Sequence, residues 1–476
     1  MAFSSRTQRL VFVSLVTLAG CPDAAQTDAA LGDAARSTDA AVITDTAWST
    51  DAGADAPDAA TLTEAFEVIG ERSVTLLDTP RRVELIRGTR RDGAHTYLLY
   101  IHAPAANAPV VIVNEPYAGI NWSGEAVDAR WAALGDGLHP DVDAPAYDGN
   151  DVIRYGAQTV ETAVNESLVW LYNGTAVVHV YGRFYTGGTL LDDAEDAAMG
   201  YAFVASRSRE VDAARIGGYG GSWGGMMTLF GAALARDARA RSLSALAPPS
   251  NFIDLYQHSE VEMPTRFGNP TQAEAFFSPY WRRSTPSVGF PPSATDPRAL
   301  AFSPEGLCAA LPSDVLVLHD EWDLLIPVRQ TEALTAACAG KVEPLFWRRG
   351  ALDYATTPLD HGPFNAEGNV PSVLTFSALH LLHGILPPTS PVTALGSTAS
   401  LRIYLQLVRD ARMAGEDVAW SLRPLRQLAD ARTQLYDPDA VALTPGAEAL
   451  AAAFNPVFGT TLDAAGLRAQ LAAGLP

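Results

Sequence analysis

The segment from Gly217 to Gly225, Gly-Gly-Tyr-Gly-Gly-Ser-Trp-Gly-Gly, carries the strongest chemical signal in the chain. Ser222 is the centre of a G-x-S-x-G pattern, between a strand-like run at Arg215–Gly218 and a helix-like run at Trp223–Arg236. A serine in that context sits on a strained turn that exposes its hydroxyl, and the flanking glycines let the backbone pass closely. The helix that follows points its N-terminus at the same spot, so the Trp223 amide is a candidate donor to a developing oxyanion. A serine hydroxyl is a weak nucleophile and needs a base, itself oriented by a carboxylate. In Leu316–Pro327 the candidate acid is Asp323, on a loop after a strand-like run; Asp320 and Glu321, nearer the strand end, stay open as alternatives. The candidate base is His361 in Leu359–Pro363, on a loop before a closing helix. His380 and His383 fall inside that helix, and His95, His102 and His179 precede the nucleophile. His319 ends a strand and reads as a core or rim residue. These residue types in the order Ser, acid, His describe acyl transfer through a covalent intermediate.

Such groups need a scaffold that brings distant loops to one edge. Strand-like runs at Val83–Ile86, Thr96–His102 and Val110–Val113 open the ordered chain near Phe66, the first two joined around Arg91-Asp92-Gly93. Runs and helical periods then alternate: helix Val160–Leu171, strand Ala176–Val180, helix Leu191–Ser206, strand Arg215–Gly218, helix Trp223–Arg236 and strand Ser242–Leu246. Strand Val315–His319, helix Val328–Ala339, strand Glu343–Trp347 and helix Ser372–Leu386 complete the series. The alternation predicts an α/β fold with a mostly parallel sheet covered on both faces. A catalytic domain over 61–388 is expected, with insertions at 123–159 and 248–312 and a helical extension at 389–476. The second insertion gathers Phe252, Tyr256, Phe267, Phe276, Phe277, Tyr280, Trp281 and Phe290. Phe276, Phe277, Tyr280 and Trp281 are candidate substrate-pocket residues; the alternative is a satellite core.

The chain has 476 residues and a formal net charge of −21, with no clustered basic patch, which sets a nucleic-acid partner aside. Residues 21–60 are mostly Ala, Asp, Thr and Ser, too poor in large apolar side chains to offset the entropy of ordering, and read as a flexible acidic tether. Ahead of it, Arg6 and Arg9 precede an apolar run from Leu10 to Leu18, the form of a secretory signal over 1–20. Leu18-Ala19-Gly20-Cys21 resembles the lipobox of bacterial lipoproteins, which implies that Cys21 is lipidated and that the protein is exported and anchored in a bacterial cell envelope. In an oxidising compartment Cys308 and Cys338 are a candidate disulfide, with two buried thiols as the alternative. Asp141, Asp143, Asp148 and Asp151 lack the spacing of a calcium loop and read as a solvated acidic loop. No cofactor or metal is expected.

Arg215-Ile216 leading into Gly220–Gly225, Asp323 with Ile326-Pro327, and His361-Gly362 are similar to the elbow, acid and base motifs of the prolyl oligopeptidase family of serine peptidases, whose catalytic domain has the α/β-hydrolase fold. Tyr117-Ala118-Gly119 resembles the segment whose tyrosine completes the oxyanion hole in dipeptidyl peptidase IV, which implies that Tyr117 and the Trp223 amide share that role. Pro116-Tyr117 is equally similar to the cocaine-esterase and X-prolyl dipeptidyl aminopeptidase group. The resemblance spans about Val110 to Leu386 and implies a serine hydrolase acting on a peptide or ester carbonyl. A carboxylesterase of the same fold, or a binding lipoprotein that has lost turnover, are the alternatives. Two departures stand out. The family's N-terminal β-propeller has no room ahead of Val110, and Asp320 and Asp360 replace the family's glycines before the acid loop and the histidine.

Overall fold

The computed structural model describes residues 64–76, 79–115, 120–122, 158–183, 188–263, 265, 286–347 and 370–476. The chain opens as a long antiparallel ribbon. Strand β1 (Ala65–Leu76) pairs with β2 (Thr79–Thr89), and β2 pairs with β3 (His95–Ile101). The β2–β3 turn closes with the Arg90 amide on the Ala94 carbonyl at 2.8 Å, and Gly93 takes a φ of +85°, which suits a residue without Cβ. Then β4 (Ala108–Glu115) enters the sheet, followed by two short strands, β5 (Ile120–Asn121) and β6 (Gln158–Thr159), that pair with each other.

From here strands and helices alternate. Helices α1 (Val160–Glu166) and α2 (Leu168–Tyr172) lead to β7 (Ala176–Tyr181); α3 (Leu190–Ser206) leads to β8 (Val211–Gly221), and α4 (Trp223–Leu234) to β9 (Ala240–Leu246). The single helix expected over Val160–Leu171 is broken at Ser167, whose hydroxyl bonds back to the Ala163 carbonyl at 2.8 Å and ends the first piece. After α5 (Phe252–Gln257) and two five-residue helices, Pro297–Ala301 and Pro304–Cys308, come β10 (Val315–Asp320), α6 (Arg329–Ala337), β11 (Val342–Trp347) and α7 (Val370–Ile385). Residues before Glu64, and the expected candidates Cys21, Asp141, Asp143, Asp148 and Asp151, lie outside the described residues.

The nine strands lie in the order β1-β2-β3-β7-β4-β8-β9-β10-β11, and from β7 to β11 all neighbours are parallel. Alternate residues of the parallel strands enter two cores. Val110, Ile112, Val178, Val180, Val315 and Val317 pack with α3 and α4, whereas Val111, Val113, Val177, Leu316, Leu318 and Leu345 pack on the face covered by α7. Burial on both faces explains why these strands read as unbroken apolar runs. The second core continues into the C-terminal region, where β12 (Val392–Leu395), α8 (Thr398–Met413), α9 (Leu422–Ala429), β13 (Thr433–Asp437), β14 (Ala442–Pro445), α10 (Gly446–Phe458) and α11 (Ala464–Ala473) follow one another. The extension expected to be helical thus contains a three-stranded sheet, β12-β13-β14. Its strands are four or five residues long and β14 is only half-buried, too short for a period-2 pattern to stand out.

Cys308 and Cys338 are joined by a disulfide with Cα atoms 5.1 Å apart, linking Pro304–Cys308 to the end of α6. The bond closes a loop spanning 30 residues, for which the chain-entropy relation gives about 3.6 kcal/mol. The double substitution Cys308→Ala/Cys338→Ala is expected to lower unfolding stability by about 2 to 4 kcal/mol, read as a shift of the denaturant midpoint at unchanged m-value.

Candidate active site

The sheet order reverses between β4 and β8: the chain goes from β4 outward to β7, then crosses back to β8 on the other side of β4. Such a reversal of strand order is the place where parallel α/β sheets bind ligands, outside the carboxyl ends of the strands. Ser222 stands at the exit of β8, half-buried, with φ 53° and ψ −122°. A non-glycine residue held there costs about 1 to 3 kcal/mol and persists only when its surroundings over-determine it. They do so here. The Ser222 amide donates to the Leu246 carbonyl at the end of β9 (2.7 Å), and the Ser222 carbonyl accepts the first bond of α4 from the Met226 amide (3.0 Å). Gly220 is obligatory, because a Cβ on it would sit 2.3 Å from the Gly224 carbonyl oxygen.

Trp223, the first residue of α4, is buried. Its indole N–H donates to Asp193 Oδ2 at 2.8 Å, and its ring meets Phe252 edge-on at 5.8 Å. Asp193 lies fully buried in the first turn of α3, where a carboxylate also meets the positive end of the helix dipole. Two helices are thus locked together directly behind the amide that faces the Ser222 side of the turn. The Asp193–Trp223 pair is a contact that the sequence does not reveal, since the two residues lie on different helices and neither position has a local signature.

On β10, Leu318 pairs with Leu246 of β9, so the loop after β10 leaves the same edge as Ser222, two strands away. Asp323 lies in that loop, buried, with Oδ1 accepting the amides of Leu325 (3.0 Å) and Ile326 (2.8 Å) and Oδ2 3.7 Å from His319 Nε2. Asp320, the alternative acid at the end of β10, is also buried, and its Oδ1 accepts the Trp322 amide at 2.8 Å. Two imidazoles brace the loop. His319 Nε2 donates to the Ile326 carbonyl (2.8 Å) while Nδ1 meets Thr331 Oγ1 (2.6 Å), and His258 Nε2 donates to the Leu324 carbonyl (2.7 Å). His319 is therefore a buried structural residue of the loop.

Of the remaining candidates, His361, Tyr117, Phe276, Phe277, Tyr280 and Trp281 lie outside the described residues. Within the aromatic insertion the described members divide: Phe252 is a core residue against Trp223 and Phe302, whereas Phe290 is 59% exposed and touches Tyr256 edge-on at 5.5 Å.

A nine-stranded sheet in this order, with a serine on a positive-φ turn between a central parallel strand and its helix, is the α/β-hydrolase fold. No protein-family model and no curated protein matches the chain. Among solved structures, it is similar to acetyl xylan esterase 1 from Thermoanaerobacterium sp. JW/SL YS485, at 17% identity over 67% of this chain and 89% of that one, with a TM-score of 0.41. An esterase from Pyrobaculum calidifontis matches at 18% identity over 64% and 86% of the two chains, TM-score 0.42. Dipeptidyl peptidase 4 of Porphyromonas gingivalis matches at 15% identity over 64% of this chain and 36% of its own, TM-score 0.39.

The Trp223 hydrogen bond gives a direct test of how α3 supports the turn. Trp223→Phe removes a buried donor to a carboxylate and is expected to destabilise the protein by about 1.5 to 3 kcal/mol, read by chemical denaturation against wild type.

Proposed function

We propose that the protein is a serine hydrolase that forms an acyl-enzyme on Ser222. The observation that carries the reading is the backbone of Ser222, a non-glycine residue at φ 53° with its amide tied to Leu246, at the carboxyl edge where the strand order reverses. Such strain has a use when it presents a hydroxyl to a crevice. In this mechanism Ser222 Oγ attacks a carbonyl carbon and His361 accepts its proton. The acyl oxygen takes negative charge against the Trp223 amide and the Tyr117 hydroxyl, and His361 then protonates the leaving group. Water repeats the sequence to release the acid.

Asp323 is assigned as the residue that orients His361. Oδ1 is committed to two amides, which fixes the carboxylate, and Oδ2 is the oxygen we give to the imidazole. Ser222 and Asp323 leave strands two places apart, roughly 10 Å at sheet spacing, a gap that the two side chains span with one imidazole hydrogen-bonded between them. The substrate carbonyl belongs to a peptide or an ester. The motif resemblance favours a prolyl oligopeptidase-type peptidase, with carboxylesterase as the alternative. Lipidation of Cys21 would hold the enzyme at a bacterial membrane surface, with residues 21–60 as its tether.

Ser222→Ala is expected to abolish labelling by a fluorophosphonate probe while leaving the melting curve in place; labelling that persists in the mutant would move the nucleophile elsewhere. Asp323→Asn is expected to lower kcat by about ten-thousandfold, and comparison of p-nitrophenyl esters with Pro- and Ala-ending peptide amides separates esterase from peptidase. If Trp281 walls the acyl pocket, Trp281→Ala lowers kcat/KM for bulky apolar esters by about tenfold and spares acetyl esters. Equal losses on both would return the aromatic stretch to a packing role.

A further inference from the structure

Across the switch point from Ser222, the end of β4 carries a buried polar cluster that the mechanism above does not use. Glu115 is the last residue of β4, opposite Tyr181 at the end of β7, and its Oε1 lies 3.9 Å from His179 Nδ1. The contacts around His179 fix its proton. Ser167 Oγ is 2.8 Å from the Ala163 carbonyl oxygen and 2.7 Å from His179 Nε2. Two oxygens that close need a proton between them, so the hydroxyl donates to Ala163 and Nε2–H donates to the hydroxyl oxygen. Nδ1 is left as a lone pair on the side of Glu115. A carboxylate facing a lone pair is repelled, whereas a carboxylic acid can donate to it, through a water at this distance or directly on a small approach. His179 cannot relieve the conflict by taking a proton, because burial holds its pKa down to about 3.

Glu166, at the end of α1, adds a second carboxyl. It accepts from the Gln158 amide, and Gln158 Oε1 in turn accepts from the Tyr181 hydroxyl at 2.8 Å. Tyr181 on β7 and Tyr219 on β8 both face the two glutamates, and burial followed by those charges pushes both phenols up. Among the described residues no Lys or Arg offsets the pair. Burial lifts Glu166 to about 7. Although 24% of the Glu115 side chain is exposed, burial first and Glu166 second raise it well above the carboxylate range.

We propose that Glu115 is a positioning residue that works as the neutral acid, holding the carboxyl end of β4 against His179 and Glu166 at the edge of the sheet where Ser222 reacts. The inference rests on the hydrolase reading, since it assigns Glu115 a part in the Ser222 reaction. Two like charges in this poorly hydrated space repel and draw in water, so ionisation loosens the strand end and the reaction slows. The stability consequence has a definite sign. The folded state keeps protons that the unfolded chain releases in the ordinary carboxyl range, so the contribution is full below that range and is lost as pH rises through about 7 and beyond.

The test compares the full chain with Glu115→Gln, which mimics the neutral acid and cannot ionise; Glu115→Met serves should the first variant fail to fold. Fluorophosphonate labelling rates are followed from about pH 5.5 to pH 9, where ionisation of His361 shapes the acid limb and leaves the alkaline limb to the carboxyl pair. In wild type the rate is expected to fall by about tenfold on the alkaline side, and in the variant by threefold or less. Tm, measured in a Ser222→Ala background so that it needs no activity, is expected to drop across the same interval in the parent and to drop less when Glu115 is replaced, because Glu166 keeps the share that its own burial causes. Alkaline limbs and Tm profiles that are the same with and without Glu115 overturn the proposal. A wild-type protein that never labels but shows the Glu115-dependent Tm profile would instead overturn the hydrolase reading and, with it, the positioning role, while leaving Glu115 a buried acid.

Discussion

The hydrogen bond from the Ser222 amide to the Leu246 carbonyl is the constraint around which the site is arranged. A serine at positive φ would relax to an ordinary turn unless held, and the hold comes from the end of the neighbouring parallel strand, itself fixed by β10 through the Leu246–Leu318 pairing. Strain at one residue is thus supported by the stiffness of a whole sheet, buried on both faces and unable to shift by a fraction of a residue without exposing a core. The same edge supplies the loop of Asp323, so the conformation of the serine and the placement of the acid share one cause. The indole bond of Trp223 to Asp193 adds a second hold from the helix side.

Much of this was legible in the sequence because its signals are local. The apolar runs of β4, β7, β9 and β10 are strands buried on both faces, and the Gly220-Gly221-Ser222-Trp223-Gly224 turn announces itself by glycine placement. What escaped was either long-range or weak in pattern. Strand β1 is a sheet-edge strand with most of its residues exposed or half-exposed, so no alternation marked it. The strands of the C-terminal sheet are too short to distinguish from loop. Asp193 with Trp223, and Glu115 with His179 and Glu166, meet only through the fold, and nothing at any one of these positions distinguishes a buried acid from a solvated one. Nothing in the sequence separates the aromatics of the insertion from one another, whereas in the fold Phe252 belongs to the core behind the turn and Phe290 to the surface.

Two kinds of ionisable group therefore surround the switch point, held by opposite means. Asp193 accepts a neutral indole donor and lies near Arg183, whose guanidinium bonds Asp196 at 2.9 Å and Asp192 at 2.9 Å, so negative charge there is balanced by a cation and by the start of α3. Glu115 and Glu166 have amide, hydroxyl and imidazole neighbours, and a low-charge state suits them better. The acids at the start of α3 have guanidinium partners within hydrogen-bond reach, and the pair at the end of β4 has none among the described residues.

The second apolar core has a further consequence, for the order in which the molecule can be made. Val83 and Leu85 near the start of the ordered chain and Leu467 and Leu471 near its end belong to one buried cluster. During synthesis the early strands emerge first, yet the face of the sheet beneath α7 stays uncovered until α7 arrives, and the cluster is complete only once the helices that follow have packed around α7. Such a chain cannot complete its core vectorially, domain portion by domain portion, and contacts between sequence-distant segments make folding slow. Until α7 docks, that half of the sheet is an open apolar surface, the kind that holdase chaperones recognise.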